Sequence, residues 1–183
     1  MNTIGRIRRG WALALAAACV AGLSACASVD STPAPALPAS GGVAVLPLAN
    51  FTETPDVGRA AQAVAANTLR RLGFASVAAM PGAENGAAFD APGSTQPGIE
   101  QGLDWARAQH AKYVLSGAVE EWRYKVGVDG EPVVALSFEL RELPSGRVIW
   151  SATGSRSGWS RSALGATAQG LVGKLLAPLA PRG

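Results

Sequence analysis

The chain has 183 residues, the size of one modest domain. It carries 16 Lys and Arg against 13 Asp and Glu, a formal charge of +3, and the whole excess sits at the start as Arg6, Arg8 and Arg9. The pI near 9.2 therefore excludes little by itself, because a nucleic-acid binder needs a surviving basic cluster and residues 26–183 are neutral, with 13 basic and 13 acidic side chains. The two cysteines, Cys19 and Cys26, exclude a disulfide framework or a multi-cysteine metal site.

The opening run MNTIGRIRRG is polar and positive, and the uncharged stretch WALALAAACVAGL follows it. A positive region, a short apolar region and small residues before a cut have the pattern of a bacterial signal peptide, assigned here to residues 1–25. The apolar stretch is too short for a comfortable bilayer crossing, which takes about 20 residues. The tetrad Leu23-Ser24-Ala25-Cys26 resembles the lipobox of bacterial lipoproteins. That resemblance implies a diacylglycerol on the Cys26 thiol and an acyl chain such as palmitate on the new amine, and several chains anchor far more firmly than one. Ala27 after the cysteine resembles the pattern for sorting to the outer membrane. An ordinary signal peptide with an incidental Cys26, or a buried apolar helix, is the alternative. Residues 26–42, rich in Pro, Ser and Ala, read as a lipidated N-terminus and semi-extended tether, with the folded domain at 43–183.

Val43 to Leu48 is an apolar run fitting a buried strand, with Pro47 near its end. Asp56 is the expected cap of an Ala-rich helix to Leu72, stopped by Gly73. Phe74 to Ala79 reads as a strand, and residues 80–98 as a long loop of the kind that often forms contact surfaces. Pro97 starts a second helix, with Ile99, Leu103, Ala106 and His110 on one face. Tyr113 onward is a strand continuing through EEWRYKV, its Glu120, Trp122, Tyr124 and Val126 alternating with Glu121, Arg123 and Lys125. Asp129-Gly130 makes a hairpin turn, Val133 to Glu142 a fourth strand, and Val148, Trp150 and Ala152 line a fifth. GSRSG (154–158) reads as a turn feeding the last helix, capped by Ser160 or Ser162 and carrying Leu164, Ala168, Leu171, Leu175 and Leu179 as its stripe. The expected fold is α/β: a single mixed sheet of about five strands with three covering helices, in the order β-α-β-α-β-β-β-α.

Motifs for catalysis are missing. Neither GxxxxGK[ST] nor a strand-linked GxGxxG appears, and there is no GxSxG elbow. His110 is the single histidine, read as a partly buried or capping residue at a helix end. Glu120 and Glu121 are adjacent on a strand and point to opposite faces, so they form no acid/base pair. No enzyme, no cofactor and no metal site is expected. Of the tryptophans, Trp122 and Trp150 read as core or interface anchors. Trp159 lies between SRSG and SRSA, close to Arg156 and Arg161, and has two readings: an anchor in the interfacial zone of a bilayer, or a staple between the last helix and the sheet.

The runs VAVLPLANFTETPDVGR, WARAQHAKYVLSGAVEEWRYKVGVDGEP and LPSGRVIWSATGSRSGWSRSALGATAQGLVGKLLAPL resemble the PelC family, lipoproteins of the Pel exopolysaccharide secretion system in biofilm formation. VAVLPLANFTETP also resembles, more distantly, periplasmic domains of the CsgG and LpoB type. The PelC resemblance implies a non-catalytic subunit of a homo-oligomeric, dodecameric ring on the periplasmic face of the outer membrane. Its implied partners are the PelB porin, outer-membrane lipid and a cationic, partly deacetylated polysaccharide guided to the pore; nucleic acid is not among them. It implies an acidic aperture at Asp129, to which Glu131 is added by proximity, and a membrane-facing Trp159, with Arg156 and Arg161 added in the same way. Two other roles stay open: an LpoB-like activator or scaffold of a periplasmic enzyme, and a monomeric carbohydrate-binding lipoprotein.

Overall fold

A computed structural model describes residues 27–81, 97–127, 130–160 and 162–182. The strands are β1 (Ala27–Ser31), β2 (Val43–Val45), β3 (Ala49–Asn50), β4 (Val77–Ala79), β5 (Tyr113–Tyr124), β6 (Pro132–Glu142) and β7 (Arg147–Ser157). The helices are α1 (Val57–Leu72), α2 (Pro97–Ala108) and α3 (Leu164–Leu176), the last followed by a short 3-10 turn, Ala177–Leu179. All seven strands form one sheet in the order β1-β7-β6-β5-β2-β4, with β3 also pairing β5.

The α/β class and the element order hold, and two strands are added to the expected five. The first apolar run is a strand only over β2, which stops short of Pro47, and β3 follows the run; both run parallel to β5. The second addition is β1, which lies antiparallel along β7 from Ala27↔Arg156 to Ser31↔Ala152. The segment expected to be a tether is thus folded into the domain. Its Leu37 is fully buried, and the Leu37 carbonyl accepts the Arg182 amide at 3.0 Å. Composition hid this, because Pro, Ser and Ala dilute the alternation of Val29 with Ser28 and Asp30.

Helices α1 and α3 cover one face of the sheet, and α2 covers part of the other. Leu115, Val119, Leu136, Phe138, Leu140 and Trp150 meet Ala61, Ala65, Leu69, Leu171 and Leu175 in the main core. A smaller cluster joins Leu103 and Ala106 of α2 to Ala44, Leu46 and Val114. Buried Gln62 stitches α1 to the sheet, its amide donating 2.8 Å hydrogen bonds to the carbonyls of Val45 and Met80. Those bonds satisfy a polar group that would otherwise be costly to bury.

Local expectations fail at four places. Asp56 precedes α1 but makes no capping bond; its carboxylate instead accepts from Arg59 at 2.6 Å. His110 lies beyond the end of α2 in a left-handed turn, exposed to solvent, so it does not continue the apolar helical face. Gly154–Ser157 of GSRSG is the end of β7, with Gly154–Arg156 paired on both sides by β6 and β1, and the turn begins only at Gly158. The strand alternation through Glu120 shifts at a bulge between Val119 and Glu121, which an alternating sequence does not reveal.

Two features of the β5 region give measurable consequences. A methyl group on Gly117 would collide with the Ser137 carbonyl oxygen in the adjoining strand. Gly117→Ala is expected to lower stability by about 1–3 kcal/mol, read as a lower denaturant midpoint. The phenol of Tyr113 is raised above its ordinary 10.0 by burial and then by the negative charge of Glu142. A raised acid holds its proton more tightly in the folded state, so its contribution is complete below pH 10.0 and declines as pH rises through the folded value. Thermal melts across the alkaline range should therefore show a fall in stability that is reduced in Tyr113→Phe.

Candidate membrane-facing end of the sheet

Strand direction brings three segments to one end of the sheet. β5 ends and β6 begins there, with Tyr124 opposite Pro132. β7 also ends there, with Ser157 opposite Val133, and β1 begins there, with Ala27 opposite Arg156. The hairpin after β5, the turn after β7 and the first residue after Cys26 are therefore neighbours in the fold, although they are distant in the chain. Cys26, Asp129 and Arg161 themselves lie outside the described residues.

The hairpin is closed at its base by the Lys125 amide, which donates to the Glu131 carbonyl at 2.8 Å. The same two residues form an exposed ion pair at 3.3 Å. Glu131 thus has a cation beside it, which weakens it as an isolated acidic group. Gly130 has φ 51°, a left-handed conformation that glycine adopts without the Cβ penalty, as the Asp-Gly turn signal requires. Val126 in this hairpin is fully exposed.

The β7–α3 turn presents Trp159, 64% exposed. The Gly158 amide donates to the Pro132 carbonyl at 2.8 Å, and the Ser162 amide donates to the Trp159 carbonyl at 2.9 Å. A Cβ at Gly158 would lie 2.7 Å from both Pro132 and Thr167, so the backbone approaches β6 and α3 closely and leaves the indole facing outward. Arg156 takes another direction. Its guanidinium lies against Gly170 of α3, where a methyl group would strike it.

Neither Ser160 nor Ser162 caps α3. The N-cap is Ala163, which offers no side-chain bond, and the Leu164 amide donates to the Tyr124 hydroxyl oxygen at 3.1 Å. A residue from the end of β5 thus satisfies one of the free amides at the helix start. Sequence reading missed this role, because the partners are separated by 40 positions and local capping patterns do not reach that far. Tyr124→Phe is expected to cost about 0.5–1.5 kcal/mol, with faster amide exchange in the first turn of α3.

Among the described residues no helix is long and apolar enough to cross a membrane. The architecture defines an α/β domain with one open mixed sheet, two helices on one face and one on the other. No protein-family model matches the chain, and no curated protein matches it. Among solved structures it is similar to the PelC dodecamer from Paraburkholderia phytofirmans, with 49% identity, 86% of this chain and 100% of that chain covered, and a TM-score of 0.74. A substituted variant of that dodecamer matches over the same shares with a TM-score of 0.75. The LpoB C-terminal domain from Escherichia coli matches at 19% identity, over 66% of this chain and 85% of that one, with a TM-score of 0.41; nothing is built on so distant a likeness. The chain belongs to the PelC family, and it is a component of the Pel system.

Proposed function

We propose that the protein is a non-catalytic, lipid-anchored ring subunit on the periplasmic face of the outer membrane, which guides cationic Pel polysaccharide to the PelB porin. The observation that carries this reading is the 49% identity over the whole length of a chain solved as a dodecamer. A ring needs a heterologous interface that closes on itself. Repetition around the ring would concentrate the field of an acidic turn, so Asp129 acts as part of an aperture even though the lone chain is neutral.

The end of the sheet supports the proposed orientation. With lipid on Cys26 and β1 beginning at Ala27, no slack separates anchor from domain, and the sheet end rests against the bilayer. Trp159 and Val126 are exposed at that end, which suits an interfacial side chain and an apolar neighbour. Glu131, paired with Lys125, is a weaker contributor to the acidic aperture than Asp129. Arg156, lying on α3, serves the domain's packing more than lipid headgroups, while Arg161 remains a candidate for them.

Light scattering on the lipidated protein in detergent, with the detergent contribution subtracted, should give the mass of a twelve-subunit species like that of its relative. Asp129→Asn should then lower polymer export without changing that mass, and Trp159→Ala should weaken association with anionic vesicles. A protein that remains monomeric with membrane and porin present would overturn the ring reading.

A further inference from the structure

The face of the sheet opposite α1 and α3 carries a groove of about 690 Å³. It crosses β5, β6, β7 and β1, a span of about 15 Å at ordinary strand spacing. Its floor is recessed because the residues there are small: Ser116, Gly117, Ala118, Ser137 and Ser151 all line it. Among the described residues the hydroxyls of Ser116, Ser137 and Ser151 have no hydrogen-bond partner. Phe51 forms part of one wall and Asp30 part of the other.

Phe51 is an aromatic ring left 59% exposed on a loop that is held firmly. Its amide donates to the Val119 carbonyl at 3.0 Å. Behind it, the Asn50 side chain accepts from the Thr52 amide and hydroxyl at 2.9 and 2.8 Å, and donates to the Thr54 carbonyl at 2.8 Å. The ring is therefore presented in advance, with little ordering left for a ligand to impose. Asp30 has no ion-pair partner among the described residues. Glu139 is bound by Arg141 at 2.7 Å, so the three charges in the groove sum to one negative.

We infer that this groove is a saccharide-binding site, separate from the hairpin end, that takes an amino-sugar oligosaccharide with its apolar ring face on Phe51 and an ammonium group at Asp30. The inference rests on the proposed role in handling a cationic polysaccharide, and the groove's own chemistry favours that class. Free hydroxyls on the floor suit a ligand that is itself covered in hydroxyls, and the exposed ring suits the C–H face of a pyranose. Ala49, Ile99, Ala118 and Ala152 line the groove beside the hydroxyls, so both the apolar and the hydroxylated faces of a sugar find partners there. The excess carboxylate selects a cationic sugar over a neutral one.

Calorimetry on the full lipidated protein in detergent tests the site, using a glucosamine tetrasaccharide and its fully N-acetylated counterpart as probes. Wild type should bind the glucosamine form more tightly. Phe51→Ala should weaken both probes by up to about tenfold, whereas Asp30→Asn should weaken the charged probe by about fivefold and leave the neutral one unchanged. No binding of either probe, or binding indifferent to Phe51 and Asp30, overturns the site. A change in particle mass in Phe51→Ala also overturns it, because the face would then belong to a subunit contact. If the particle proves monomeric and the groove variants still behave as expected, the ring reading falls and the groove stands; with the opposite pattern, only the groove falls.

Discussion

The antiparallel pairing of β1 with β7 decides how the rest of the molecule is presented. Without that ladder, the residues after Cys26 would be a loose leader and the domain could take any orientation relative to its point of attachment. With it, five residues from Ala27 to Ser31 are fixed along a strand that is itself held by β6. The start of the described chain is brought to the end of the sheet where β5, β6 and β7 turn. The Lys174 ammonium donates to the Ala27 carbonyl at 3.4 Å, which adds a contact from α3 to the same corner.

The two faces of the sheet have different work, and residue size separates them. Large aliphatic and aromatic side chains alternate inward along β6 as Val134, Leu136, Phe138 and Leu140, and α1 and α3 close over them. The residues between them, Ala135, Ser137, Glu139 and Arg141, are only half-buried. A surface of that kind neither demands a covering helix nor exposes enough apolar area to aggregate. It leaves a groove available for a polar ligand while the opposite face supplies the hydrophobic stability of the domain.

The end of the sheet is held by contacts that cross between elements. Tyr124 of β5 binds the first turn of α3, and Gly158 after β7 binds Pro132 at the start of β6. Trp159 is therefore exposed from a constrained turn and not from a free loop. This matters for a side chain proposed to meet lipid, because a constrained indole loses less freedom on insertion. The lateral position of Arg156 on α3 shows the opposite case. Adjacency in sequence to a surface residue does not make a side chain part of that surface when strand alternation turns it to the other face.

Periodicity, turn residues and apolar stripes in the sequence were enough to determine the α/β class, the order of the main elements, the core positions of β6 and α3, and the chain reversal between β5 and β6, because each depends on spacing over a few residues. The same local rules marked Trp159 as unusual. What only the tertiary structure decided was long-range: that Ala27–Ser31 joins the sheet, that a bulge interrupts β5 at Glu120, and that Tyr124 caps α3. In every one of these a backbone or side-chain group chooses between a local partner and a distant one. That choice depends on which elements the folded sheet brings within hydrogen-bonding distance, and no spacing along the chain records it.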